Sequence, residues 1–177
     1  MRFFIFCASV VLSLSIVSCS SPEEKKMDRV DSLYKVVEVL EDSIAKVSLA
    51  KVESMIEENQ RLIDRVQNEY KDTLNKEEMF FFYDFKRYRK SITQLKQNIE
   101  FQTGQIAYTK TQLANLKEDI NNGLIIDEHF KNYFSSEQEA VNRLKETSKS
   151  INQWYRGSFK RYDELKKGVL EILEKKE

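Results

Sequence analysis

The stretch FFYDFKRYRKSITQLKQNIEFQTGQIAYTKTQLANLKEDI, residues 81–120, decides the fold. Phe81, Phe85, Tyr88, Ile92, Leu95, Ile99, Gln102, Ile106, Thr109, Leu113, Leu116 and Ile120 recur at alternating intervals of four and three, with only Gln102 and Thr109 polar. Such spacing places every member on one stripe of a helix and is the seam of a coiled coil. The same rhythm returns through Phe130, Phe134, Glu137, Val141, Leu144, Ser148, Ile151, Tyr155, Ser158, Tyr162, Leu165, Val169 and Ile172. Upstream it runs as Val30, Leu33, Val37, Leu40, Ile44 and Val47, and resumes as Leu49, Val52, Ile56, Asn59, Ile63, Val66 and Tyr70. The register slips near Ser48, a slip expected to disturb supercoiling without ending the helix.

Local signals mark the ends. Ser21 before Pro22, with Glu24 three residues on, reads as an N-cap and capping box with proline at the first helical position. Asn75 with Glu78 reads as a second box, and Asn121-Asn122-Gly123 as a stop with Gly123 left-handed and Leu124 closing the apolar contact. Ser135 and Ser136 with Glu139 offer a competing cap, but the seam runs on across them and favours one helix. Helices over 22–74, 76–121 and 127–176 would be about 80, 69 and 76 Å long. Their short connections predict an all-α, elongated antiparallel three-helix coiled-coil bundle as one domain, 22–177, after a cleaved signal peptide. In layout it is similar to a stretched spectrin repeat.

Residues 1–18 read as an export signal. Met1 and Arg2 precede an uncharged run of about fifteen residues, Phe3 to Val17, short for a membrane span. The run ends in Ile16-Val17-Ser18-Cys19, which resembles the lipobox of bacterial lipoproteins. The resemblance implies that Cys19 receives a diacylglyceryl thioether, that the signal is cut before it, and that the new N-terminus is acylated. Ser21-Pro22-Glu23-Glu24 also resembles the acidic run after the cysteine in surface-exported lipoproteins of Bacteroidota. Residues 19–21 then form a lipidated start and a minimal tether, and the partner on this side is a membrane, outer rather than inner, reached through palmitate-type chains. Several buried acyl chains, at about 0.8 kcal/mol per methylene, hold a protein without a span. Cys7 leaves with the signal and Cys19 is blocked, so thiol chemistry is excluded.

The remaining composition excludes more than it assigns. Charged residues make up 33% of the chain and balance at 29 basic and 29 acidic, so no bulk attraction to nucleic acid is expected. The single histidine, His129, lies between Glu128 and Phe130; Asp127, Glu128 and His129 point in three directions on a helix and hold no metal. Four scattered glycines form no phosphate loop, and no cofactor or enzymatic activity is expected. One stretch exceeds what a seam requires: MFFFYDFKRYRK, residues 79–90. Its rings and basic groups either fill a wide bundle end or bind a protein partner, with Phe80, Phe82, Tyr83, Arg87 and Arg89, together with Trp154 on the third helix, as candidate contacts. Two functions follow from this sequence. One is a lipid-anchored envelope rod for structure or protein interaction, facing the periplasm or the cell surface. The other is an extracytoplasmic carrier or holdase for an apolar ligand or an unfolded client.

Overall fold

The computed structural model describes residues 21–69 and 73–175, and its elements are four α-helices: α1 Pro22–Ala45, α2 Leu49–Glu69, α3 Lys76–Asn121 and α4 Asp127–Glu174. The export signal, Cys19 and Tyr70 lie outside the described residues. α1 and α2 follow one another along the bundle, and this pair, α3 and α4 pack against each other as three helical strands around one core. Among the described residues no β-strand is present.

Both capping boxes form. Ser21 Oγ accepts from the Glu24 backbone N–H at 3.1 Å while Glu24 Oε2 accepts from the Ser21 N–H at 2.7 Å. Asn75 Oδ1 accepts from Glu77 and Glu78, and Glu78 returns the bond to Asn75. Gly123 adopts φ +65° at the end of α3, and the Leu124 and Gly123 N–H groups donate to the Asp119 and Ile120 carbonyls. This is the Schellman arrangement, but Leu124 does not close it: 72% of that residue is exposed. The residues it could touch on the last turn are Glu118 and Asp119, which offer no apolar surface, and Ile125 packs against the core instead.

The continuous helix expected over 22–74 is two helices. α1 ends at Ala45, and the Lys46 and Val47 N–H groups both return to the Ile44 carbonyl. Ser48 then starts α2, its Oγ accepting from the Lys51 N–H at 3.3 Å. The Ser48 N–H has no carbonyl to meet and donates instead to the hydroxyl oxygen of Tyr155 on α4, at 3.3 Å. The break lets Val47 remain in the core although the seam has shifted by two residues at Leu49. Beyond it α2 buries Met55 and Leu62 besides Val52, Asn59, Ile63 and Val66, a wider face than a strict seam, and Ile56 is only partly buried.

On α3 every seam position from Ile92 to Ile120 is buried, including Gln102 and Thr109. Gln102 Nε2 donates to Ser148 Oγ and to the Leu144 carbonyl, both at 2.8 Å. Asn152, between Ser148 and Tyr155 on α4, donates to Ser43 Oγ and to the Ser148 carbonyl. The polar contacts therefore form a ladder along α4.

Ion pairs tie the three strands at intervals: Asp31 with Lys117, Glu41 with Lys110 and Glu53 with Lys96 between the first strand and α3, and Lys26 with Asp127 and Glu58 with Lys166 toward α4. Lys175 reaches Glu78 at 2.8 Å, which sets the end of α4 beside the start of α3.

Candidate functional site

The first turns of α3 hold the aromatic run, and the structure sorts it. Phe85 is fully buried against Tyr162, ring centroids 5.8 Å apart. The next residue inward is Phe82, 7% exposed, where the seam calls for Phe81. An α-helix gains ground on a 3.5-residue repeat, so one place back from Phe85 the residue three before it faces the core as well as the one four before it. Gly168 on α4 decides between them. Without a side chain there, the Phe81 ring lies across the α4 backbone, 2.7 Å from where a Cβ would stand, and stays at the rim. Phe82 takes the core position and is therefore no contact for a partner. Lys86 lies over its ring at 5.5 Å.

Phe80 and Tyr83 are the exposed members, 64% and 60%, and Met79 and Phe81 adjoin them with their outer edges free. Arg87 and Arg89 are exposed, with Arg87 paired to Asp84 at 2.6 Å. Trp154 is not brought to the exposed rings, although it lies only about 6 Å along α4 from Ser158, to which Tyr88 donates. Counting along α4 to Gly168, on which Phe81 rests, it lies about 21 Å away, half-buried against the core. The sequence reading has Lys86 and Lys90 snorkelling over the rings and does not count them among the contacts. With Arg89, Thr93, Gln94 and Gln97 they line an open groove of about 380 Å³ that contains no carboxylate.

Beneath the rings the charges are settled. Tyr162 donates to Glu58 at 2.9 Å and Lys166 donates to the other Glu58 oxygen at 2.6 Å. Burial pushes the Glu58 carboxyl up, but the hydrogen bonds from Lys166 and Tyr162 outweigh it and hold the group below its usual range. Burial, then the Glu58 bond, raises the Tyr162 phenol far above its ordinary value. Tyr88 is raised too, chiefly by burial, and donates to the Ser158 carbonyl at 2.9 Å. Asn59 donates to the Phe85 carbonyl at 3.1 Å, while its Oδ1 and the Ser158 hydroxyl are buried without a hydrogen bond.

These groups form ion pairs and hydrogen bonds that hold helices together. His129 is exposed in the first turn of α4, and among the described residues no three of His, Cys, Asp and Glu gather as a metal site. What the cluster presents to solvent is apolar ring surface bordered by guanidinium and ammonium groups. Compared with protein-family models, with curated proteins and with solved structures, the chain matches none.

Proposed function

We propose that the chain is a lipid-anchored rod of a bacterial cell envelope, a non-catalytic protein that presents the aromatic start of α3 to a protein partner. The observation that carries the reading is the exposure of Phe80 and Tyr83 above a core already closed by Phe82, Phe85 and Tyr162. Rings left over once packing is complete serve contact with something else. An antiparallel coiled-coil arrangement is part of the reading. It is supported by the ion pairs between the first strand and α3, whose α3 partners fall from Lys117 to Lys96 as the first strand rises from Asp31 to Glu53.

In this rod the anchor is Cys19, and α1 starts directly after it, capped by Ser21. Among the described residues no helix is long and apolar enough to cross a membrane. The Lys26–Asp127 pair sets the start of α1 beside the loop carrying exposed Leu124 and Ile126, which suits an end that faces lipid. The aromatic cluster then lies at the far end, away from the membrane, and the partner is reached from the outer membrane across the periplasm or at the surface.

Two experiments test the proposal. Metabolic labelling with a palmitate analogue should mark the parent chain and not Cys19→Ser; label retained by Cys19→Ser would remove the anchor. A photo-crosslinking amino acid at Tyr83 should capture a discrete partner in intact cells, whereas capture that is unchanged when the crosslinker is moved to the charged outer face of α4 would remove the docking role.

A further inference from the structure

One exposed face of α3 is unlike the rest of the surface. In a chain that is 33% charged, the exposed residues of α3 from Gln94 to Asn115 include a single charged group, Glu100, which is paired to Lys96. The same face carries Phe101 and Tyr108, 67% and 61% exposed, with Gly104 between them and nothing within 4 Å of the place a Gly104 Cβ would occupy. The exposed stripe has its own four-and-three spacing: Gln94, Gln97, Phe101, Gly104, Tyr108, Thr111 and Asn115, opposite the seam that faces the core. The stripe is regular and uncharged, with two exposed rings at its centre, a surface on which another helix can lie without burying an unpaired charge.

Its ends say which helix. Toward the N-terminus the stripe continues to Lys90 and Arg87, and toward the C-terminus to Glu118. All three are exposed, and among the described residues neither Lys90 nor Glu118 makes an ion pair. Laid against itself in parallel, the stripe would set Arg87 on Arg87 and Glu118 on Glu118. Laid against itself antiparallel, with the symmetry axis between Phe101 and Gly104, every stripe residue meets another stripe residue. Arg87 then faces Glu118, Lys90 faces Asn115, Gln94 faces Thr111 and Gln97 faces Tyr108. At the centre Phe101 enters the gap left by Gly104 of the second copy, twice.

We propose that the chain forms a homodimer in which the outer faces of two α3 helices pack antiparallel, with Phe101 of each copy seated against Gly104 of the other. This surface leaves out the rings at the start of α3 but shares Arg87, Lys90, Gln94 and Gln97 with the site beside them. Antiparallel packing sets the Cys19 ends of the two copies at opposite ends of the dimer, so in the anchored rod proposed above it joins copies held on facing membranes. The stripe from Arg87 to Glu118 is about 47 Å long. At a helix spacing of about 10 Å it covers roughly 470 Å² per copy, or about 900 Å² in all. That lies just below the usual size of a stable interface, so association in the micromolar range is expected.

The test is sedimentation of the full chain in a nonionic detergent across the micromolar range, with three variants. Gly104→Trp fills the gap, with its Cβ meeting nothing within 4 Å, and should weaken the dimer about tenfold or more, with an unchanged melting curve after dilution to monomer. Arg87→Glu sets like charges together at both ends and should weaken it by about tenfold. Adding Glu118→Arg to Arg87→Glu restores opposite charges and should return the dissociation constant to within about threefold of the parent. A chain that stays monomeric throughout overturns the proposal, as does a dimer indifferent to Gly104→Trp or a charge swap that fails to restore association. If Gly104→Trp melts early, the charge swap alone decides.

Discussion

Replacing Gln102 by leucine tests what the buried polar ladder does. Gln102 is 2% exposed and donates two hydrogen bonds at 2.8 Å, to Ser148 Oγ and the Leu144 carbonyl. Gln102→Leu removes both, at about 1 kcal/mol each. It adds buried apolar surface worth about 2 kcal/mol. The Ser148 hydroxyl can turn to the Leu144 carbonyl four residues before it, so no orphaned group remains. Gln102→Leu is therefore expected within about 1 kcal/mol of the parent, a shift of no more than about 4 °C in Tm. Ser148→Ala alone should lose about 1 kcal/mol, since Gln102 keeps its bond to Leu144. In the double variant that loss has already been incurred, so the two single effects should overshoot the double by about 1 kcal/mol. Urea unfolding followed by far-UV circular dichroism, with the m-value fitted for all four proteins, measures the cycle. A coupling indistinguishable from zero would refute an energetic role for the Gln102–Ser148 bond. A loss above about 3 kcal/mol for Gln102→Leu would mean that leucine does not fit the space, and that packing rather than hydrogen bonding selects glutamine. If the bond also sets helix register, Gln102→Leu should lower the m-value and bind hydrophobic dyes where the parent does not.

Glycines on the helices separate propensity from packing. Gly157→Ala meets open space inside α4 and should stabilise by about 1 kcal/mol in a thermal melt. Gly168→Ala gains the same propensity but drives its Cβ into the Phe81 ring, and should be neutral or destabilising; equal gains at both sites would show that Phe81 does not rest on Gly168. Phe82→Ala should cost about 3–5 kcal/mol as a core truncation, whereas Tyr83→Ala should change stability by less than about 0.5 kcal/mol and instead reduce partner capture; equal losses would return Tyr83 to the core. The Glu58 carboxyl is held below its unfolded value, so its contribution is present above about pH 4.5 and is lost as pH falls through the folded value. Tyr162 titrates the other way: its raised phenol supports the fold below about pH 10 and loses that support as pH rises. Glu58→Gln should flatten the acid limb of a stability–pH curve and Tyr162→Phe the alkaline limb; parallel curves for variant and parent would exclude this pair from the pH response.

What the sequence determined by itself is whatever depends on neighbours within one turn or on a repeat long enough to average out errors. The boxes at Ser21 and Asn75 and the left-handed stop at Gly123 involve residues at most five apart, so the local sequence alone places the start of α1 and both ends of α3. The seam from Ile92 to Ile120 was equally legible, because a core position missed once is restated one turn later. Three outcomes needed the other helices. Whether the register slip at Ser48 would bend the helix or end it turned on an acceptor for the freed Ser48 N–H, and that acceptor is Tyr155, 107 residues away. Whether Phe81 or Phe82 would enter the core turned on Gly168, a residue whose lack of a side chain carries no periodic signal. And Phe101, Gly104 and Tyr108 lie off the seam, where the periodicity assigns them no role. Only when all three strands were packed was it plain that the core had been completed elsewhere and that this ordered, uncharged stripe was left facing outward, because burial is a property of what surrounds a residue and not of the residue itself.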